Sequence, residues 1–338
     1  MQNMIEVKNL TKVYGSGKKG FLAVDHISFE VRKGEIFGFL GPNGAGKSTT
    51  QRMLTTLLEP TDGSIRIQGH DLKNDSYPVK CMMGLVPEES NVYTELTAWD
   101  NLIFTARLYR VPRAEQDERA AELLNAFGLW EKRNVKAESF SKGMRRRLSI
   151  AMAIIHKPQL LFLDEPTPGL DAQSTIKIHN LIRKMNEEGT TVFLTTHQIE
   201  DANKLCDRVA IINHGKIAAI DTPEKLKAAF RKVQSVEVSF EPVANDLEQT
   251  LRSLPSVSTA VKMGDKWRIY TEDPSGLLII LVDLARSKGW RVISLNTLEP
   301  SLEDVFLEIT GQKVGTVRHE NSNDNPRKRF GRRNKGGR

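Results

Sequence analysis

The loop Gly41-Pro42-Asn43-Gly44-Ala45-Gly46-Lys47-Ser48 fits GxxxxGK[ST] at each fixed position. It follows an apolar run, 35–40, that reads as a strand, and Thr49 opens a stretch, 49–58, that reads as a helix. Glycines let successive backbone N–H groups turn inward around phosphate oxygens, and the helix start adds positive potential. Lys47 then reaches the β- and γ-phosphates, and Ser48 offers a hydroxyl to Mg2+. The loop is a nucleotide site.

Asp164 and Glu165 close the run Leu160-Leu161-Phe162-Leu163, which is apolar on both faces. Charge at the end of such a strand is costly unless a cation or partner meets it. Asp164 is the natural carboxylate for Mg2+ or its water, and Glu165 is placed to act as general base on an attacking water. Three further candidates are weaker by themselves. Ser141 and Gly143, in Phe140-Ser141-Lys142-Gly143-Met144, open a helix and read first as an ordinary cap, although such a start also suits an anion. His197 ends a strand-like run, 191–196, where a lone histidine is most often structural. Tyr14 lies in a β-like stretch where core packing is the default.

These residues need a scaffold of alternating strands and helices. Strand-like segments fall at 35–40, 64–68, 160–163, 191–195 and 208–212, with helical stretches after Gly46, Thr97, Ser141, Ala172 and Pro223. The pattern is α/β, with the doubly apolar runs suited to a buried parallel sheet. Beyond about residue 230 it changes. Strands are expected at 236–240, 267–271 and 290–295, and helices at 246–254, at 276–287 and after Pro300. The expected organisation is an α/β unit over 1–231, a small α+β domain over 232–310, and a disordered basic tail over 311–338.

At 338 residues, 39% hydrophobic and 27% charged, the composition is that of an ordinary globular chain long enough for two domains. The net charge of +7 belongs to the tail: 311–338 hold nine Lys/Arg and two acids, and 1–310 carry equal numbers of each sign. No apolar run approaches the roughly 20 residues that span a bilayer. Residues 1–7 lack a basic start and apolar stretch, so no secretory signal is expected. Cys81 and Cys206 cannot form a disulfide framework or a metal cluster alone and are expected as buried small hydrophobes in a reducing compartment.

In order, the phosphate loop, 140–144, 160–165, Pro168-Gly169-Leu170-Asp171 and His197 resemble the nucleotide-binding subunit of ABC transporters over about residues 4–230. The resemblance implies a P-loop ABC ATPase with a helical subdomain, working with ATP and Mg2+. It implies that Ser141 and Gly143 contact a γ-phosphate held by the opposite subunit, so that two ATP molecules lie sandwiched in a head-to-tail homodimer or an ABC heterodimer. His197 would be the switch histidine, Tyr14 the aromatic stacked on adenine, and Asp171 a dimer contact. The stretch after residue 230, with Gly143-Met144-Arg145-Arg146-Arg147-Leu148, resembles exporter ATPases of the drug- and antibiotic-resistance type.

The sequence departs from the family pattern at three places. Phe140, Lys142 and Met144 replace Leu, Gly and Gln of the usual signature; Pro168 replaces a serine; and Val86-Pro87-Glu88-Glu89 occupies the loop that usually carries a glutamine, with Glu88 (or Glu89) as its match. A carboxylate can still touch Mg2+ or its water, but it adds negative charge beside triphosphate. The expected partner is a polytopic membrane permease, with the chain cytoplasmic and peripheral on the inner face of the membrane. The basic tail would lie near anionic headgroups. A single phosphate loop and the lack of a sustained heptad run argue against nucleic acid as partner.

Overall fold

The computed structural model describes residues 2–15, 20–229, 234–241, 247–298 and 300–311. The tail expected beyond Gly311 lies outside the described residues. The chain opens with β1 (Asn3–Tyr14) and β2 (Phe21–Arg32), then runs through β3 (Ile36–Leu40) and the glycine loop into α1 (Lys47–Leu54). β4 (Asp62–Ile67) and β5 (His70–Asp71) return to β1, completing a four-stranded antiparallel sheet in the order β2-β1-β4-β5. α2 (Ser76–Met82) and β6 (Met83–Val86) lead to a helical insertion, α3 (Ala98–Leu108), α4 (Arg113–Ala126) and α5 (Lys142–Ile154). There follow β7 (Leu160–Asp164), α6 (Ala172–Glu187), β8 (Thr191–Thr196), α7 (Ile199–Leu205), β9 (Arg208–Asn213), β10 (Lys216–Asp221) and α8 (Pro223–Ala229).

The second sheet runs β10-β9-β3-β8-β7-β6, parallel except for β10. β3 and β8 are buried along their whole length, as strands covered on both faces must be. On one face Phe37, Phe39 and Phe193 meet Phe29 of the first sheet, with Phe29–Phe37 ring centroids at 5.7 Å, and Phe162 packs on Phe193 at 5.5 Å. On the other face Leu161, Leu163, Val192 and Leu194 pack with Ile150 of α5 and with Ile178 and Ile182 of α6. The register brings the carboxyl ends level: Val86 pairs with Leu163, Asp164 with Thr195, and Leu40 with Thr196. The loops that follow these four strands therefore share one crevice, where ligands bind open α/β sheets.

The rest of the chain forms an antiparallel sheet, β12-β13-β11-β14, from β11 (Gln234–Glu241), β12 (Val257–Met263), β13 (Lys266–Thr271) and β14 (Arg291–Leu298). α9 (Leu247–Arg252) and α10 (Pro274–Lys288) bury Leu247, Leu251, Leu277 and Leu281 against Val236, Val238 and Ile269 of that sheet. The last helix, α11 (Leu302–Thr310), packs elsewhere. Its Leu302, Val305 and Phe306 enter the core of the first unit beside α7 and α8. A capping box of Ser301 and Asp304 starts it, and Asp304 Oδ1 accepts a 2.9 Å bond from the Tyr270 hydroxyl of β13.

Several sequence expectations are corrected. α1 stops at Leu54 instead of continuing to residue 58, because Thr56 turns left-handed (φ 61). β2 escapes the sequence pattern because a bulge at His26 (φ 50) breaks its two-residue period, and β12 because Ala260 is its one fully buried residue. Cys206 is buried, but Cys81 is exposed.

Candidate active site

The glycine loop is shaped by close approach. A Cβ at Gly41 would lie 2.5 Å from the Ile212 carbonyl oxygen, and Gly46, at φ 107, sits 2.7 Å from that of Ala23 by the same test. No side chain fits at either position. The loop delivers Lys47 to the centre of the crevice, where Nζ donates to the carbonyls of Gly41 (2.8 Å) and Pro42 (3.2 Å) and lies 3.5 Å from Glu165 Oε1. Burial pulls the Lys47 amine below its ordinary pKa, and the Glu165 carboxylate works against that pull.

Glu165 is 8% exposed and takes a left-handed backbone (φ 47), rare for a residue with a side chain. Its N–H donates to Thr195 O at 3.0 Å, which continues the β7–β8 ladder by one residue. The turn aims its carboxylate at His197. Oε1 lies 3.0 Å from His197 Nδ1, and Oε2 accepts the His197 backbone N–H at 3.3 Å. The hydrogen bond to Glu165 raises the imidazole above its ordinary range. Next to them Asp164 Oδ1 lies 3.5 Å from Ser48 Oγ and accepts from the Thr195 hydroxyl.

These groups surround a cleft of about 270 Å³ lined by Asn43, Gly44, Gly46, Lys47, Ser48, Thr49, Glu88, Glu165 and His197, with Tyr14 at its mouth. Tyr14 is not a core residue: it is 39% exposed and pairs across the sheet with Phe21, which is 63% exposed and lines the same cleft. Phe21 went unnoticed in the sequence because its strand did. Glu88 faces this cleft and a neighbouring cavity of about 330 Å³, whereas Glu89 lines the neighbouring cavity alone.

Ser141, Gly143 and Asp171 do not line the cleft. Ser141 is exposed at the start of α5 and accepts the Met144 N–H at 3.3 Å. Gly143 lies against α6, where an added Cβ would meet Ser174 Oγ at 2.9 Å. Asp171 caps α6, accepting Ser174 N–H at 2.8 Å, and that bond holds its carboxyl below the usual range.

A second network went unseen in the sequence. Asp201, 2% exposed, accepts from the Thr167 hydroxyl and bonds His179 Nε2 at 2.9 Å, and Thr167 also bonds Gln198 at 3.1 Å. It ties the segment after Glu165 to the segment after His197. Asp201→Ala would strand the buried His179 donor and leave the Thr167 hydroxyl with Gln198 as its acceptor, so the core is expected to lose about 1–3 kcal/mol, read as a lowered denaturation midpoint, with Asp201→Asn losing less.

A parallel sheet with a phosphate loop, an acidic strand end and a histidine at one rim defines a P-loop ATPase. The ABC transporter family matches residues 24–168, and the family described as ATP-binding protein DrrA1-3-like, C-terminal domain, matches residues 222–310. The chain is 37% identical over 313 residues to the linearmycin resistance ATP-binding protein LnrL of Bacillus subtilis (strain 168), covering 92% of this chain and 99% of that protein. It is 38% identical over 310 residues to the daunorubicin/doxorubicin resistance ATP-binding protein DrrA of Streptomyces peucetius, covering 91% and 92%. Among solved structures, the ATP-binding cassette MJ0796, dimeric in a post-hydrolysis state with ADP and Pi, superposes with a TM-score of 0.60 at 29% identity over 65% of this chain and 98% of that one. The chain belongs to the ABC transporter ATP-binding proteins, with a C-terminal domain of the DrrA1-3-like family.

Proposed function

We propose that this chain is the ATP-hydrolysing subunit of a two-component exporter, in which two copies, or one copy and a related subunit, close around two ATP molecules and move a separate polytopic permease. The observation that carries the catalytic part is the buried Glu165 carboxylate, held between Lys47 and His197 at the rim of the phosphate loop. Water attacks the γ-phosphorus as its bond to the β,γ-bridging oxygen breaks, releasing ADP and inorganic phosphate; the water's proton passes to Glu165, while Lys47 and the loop N–H groups stabilise the charge on the phosphate oxygens. His197 fixes the orientation of the Glu165 carboxylate. Tyr14, with Phe21 beside it, offers an aromatic surface to adenine.

Mg2+ fits the oxygens present. Ser48 and Asp164 are hard oxygen donors 3.5 Å apart and would hold the ion together with water and phosphate oxygens. Bound there, the ion would neutralise charge on the β- and γ-phosphates. Glu88 lines the same cleft and offers a further carboxylate to the ion or its water. Glu88→Gln is expected to shift the Mg2+ dependence of turnover more than ATP affinity, and an unchanged Mg2+ titration would make the carboxylate neutral in effect.

Family membership and the surface support a permease as partner. Among the described residues no helix is long and apolar enough to cross a membrane. Exposed aromatics gather on the helical insertion: Tyr93 and Phe104 meet edge to face with centroids 5.0 Å apart, and Leu108 lies one turn beyond Phe104. This surface supports a protein partner, and the partner would keep the chain on the cytoplasmic face of the membrane. Affinity purification from native membranes should bring down a multi-span protein, and Phe104→Asp should weaken its recovery. A preparation free of any membrane protein would contradict the proposal. The +7 charge of residues 311–338 supports a salt-sensitive contact with anionic headgroups, which liposome sedimentation with and without that stretch would test.

A further inference from the structure

Arg145, Arg146 and Arg147 are consecutive on α5, so a helical turn of about 100° per residue lets one of them point inward. That residue is Arg146, 7% exposed, while its neighbours are half-buried. A buried guanidinium is costly unless its rigid fork of donors is satisfied. Here main-chain carbonyls satisfy it. Nε donates to Pro166 O at 3.1 Å, and Nη2 donates to Asp164 O at 2.6 Å and Glu165 O at 2.9 Å. Nη1 donates to Pro87 O, with Glu88 O at 3.5 Å. Burial lowers its pKa to about 10, with Asp164, Glu88 and Glu165 opposing the fall, so the group stays charged at neutral pH.

The acceptors belong to two segments, the loop 87–88 after β6 and the stretch 164–166 at the end of β7 and just beyond it. The β6–β7 ladder ends at the pair Val86–Leu163, one residue short of both. Past that point the Arg146 fork joins the two segments in place of the ladder. It also grips the carbonyls before, at and after Glu165, the residue whose left-handed backbone turns its carboxylate into the cleft. Arg146 lies between one and two turns from Ser141, the exposed cap of the same helix.

We propose that Arg146 is a positioning residue for hydrolysis: its fork fixes the peptide groups around Glu165 and the Glu88 loop as one unit with α5, so that a shift of the Ser141 end of that helix is delivered to both carboxylates. The role rests on the assignment of hydrolysis to the Glu165 cleft. Lysine keeps the charge but presents a point donor instead of a planar fork, and glutamine removes the charge. ATP itself is held by the phosphate loop and Tyr14, which Arg146 does not touch.

The test uses the full chain carrying Arg146→Lys or Arg146→Gln, with Glu165→Gln prepared in parallel and each melted by circular dichroism. Arg146→Lys should lower kcat about tenfold or more while KM for ATP and equilibrium binding of a fluorescent ATP analogue stay within about twofold, and Arg146→Gln should lose more. The Mg2+ concentration for half-maximal turnover should also move, because the Glu88 loop is released. A folded Arg146→Lys protein with parental kcat and Mg2+ dependence would overturn the proposal, as would kcat and analogue-binding capacity falling in step with the folded fraction. If Arg146→Gln does not fold, Arg146→Lys decides, and failure of both to fold would overturn the role by making Arg146 a residue of the fold alone. Parental turnover in Glu165→Gln would remove the base assignment and leave the Arg146→Lys result to be read separately.

Discussion

Glu165→Gln is expected to cut ATP turnover by about two to four orders of magnitude while ATP stays bound. The substitution is nearly isosteric and removes the one buried carboxylate that both Lys47 and His197 approach. The amide cannot accept the proton that attacking water must release. ATP affinity should hold, since Lys47, the loop N–H groups and Tyr14 are untouched and the triphosphate supplies Lys47 with new partners. The imidazole should respond as well: its pKa is raised through the hydrogen bond to Glu165, so the variant should bring His197 back toward the ordinary histidine range, readable by NMR titration. A phosphate-release assay gives the main answer, and turnover equal to the parent would remove Glu165 from the role of base.

The second large effect is expected from mixing two inactive proteins. Ser141 is exposed and stands apart from the Lys47 cleft of its own subunit, which suits service to a partner's nucleotide. Ser141→Arg should abolish activity while costing the helix cap about 0.5–2 kcal/mol, too little to unfold the domain. Lys47→Ala should abolish activity from the other side of the composite site. In a mixed dimer one site combines an intact Lys47 with an intact Ser141, so a statistical mixture should recover up to roughly a quarter of parental turnover. A verified heterodimer with no activity would contradict sites that are shared between subunits and work independently.

Legibility in the sequence followed sequence distance. The phosphate loop and its flanks are contiguous, so their spacing alone defined a nucleotide site. The run Leu160 to Leu163 announced a strand buried on both faces, and the structure places it between two sheet neighbours. What joined these segments was not legible. The Glu165–His197 contact spans 32 residues, and the Arg146 bonds to Pro87 and Asp164 span 59 and 18. No local period encodes them. The inward turn of Arg146 was hidden because three adjacent arginines look alike until the helix fixes their directions. Taken alone, Tyr14 had only a β-like context, and its adenine-stacking role came from the resemblance; its cross-strand partner Phe21 stayed hidden because the His26 bulge concealed β2. The final helix falls within the expected 232–310 span, and its Leu302, Val305 and Phe306 pack into the core of the ATPase unit. Their apolar spacing foretold a buried face without saying which core would bury it.

The central claim is that ATP closes two copies of this chain and that hydrolysis reopens them. Light scattering behind gel filtration tests it directly on Glu165→Gln, where closure should persist. With ATP and Mg2+ the protein should run at twice the 38.0 kDa mass of one chain, and with ADP or no nucleotide it should return to a single chain. A mass that does not change with nucleotide would contradict the account.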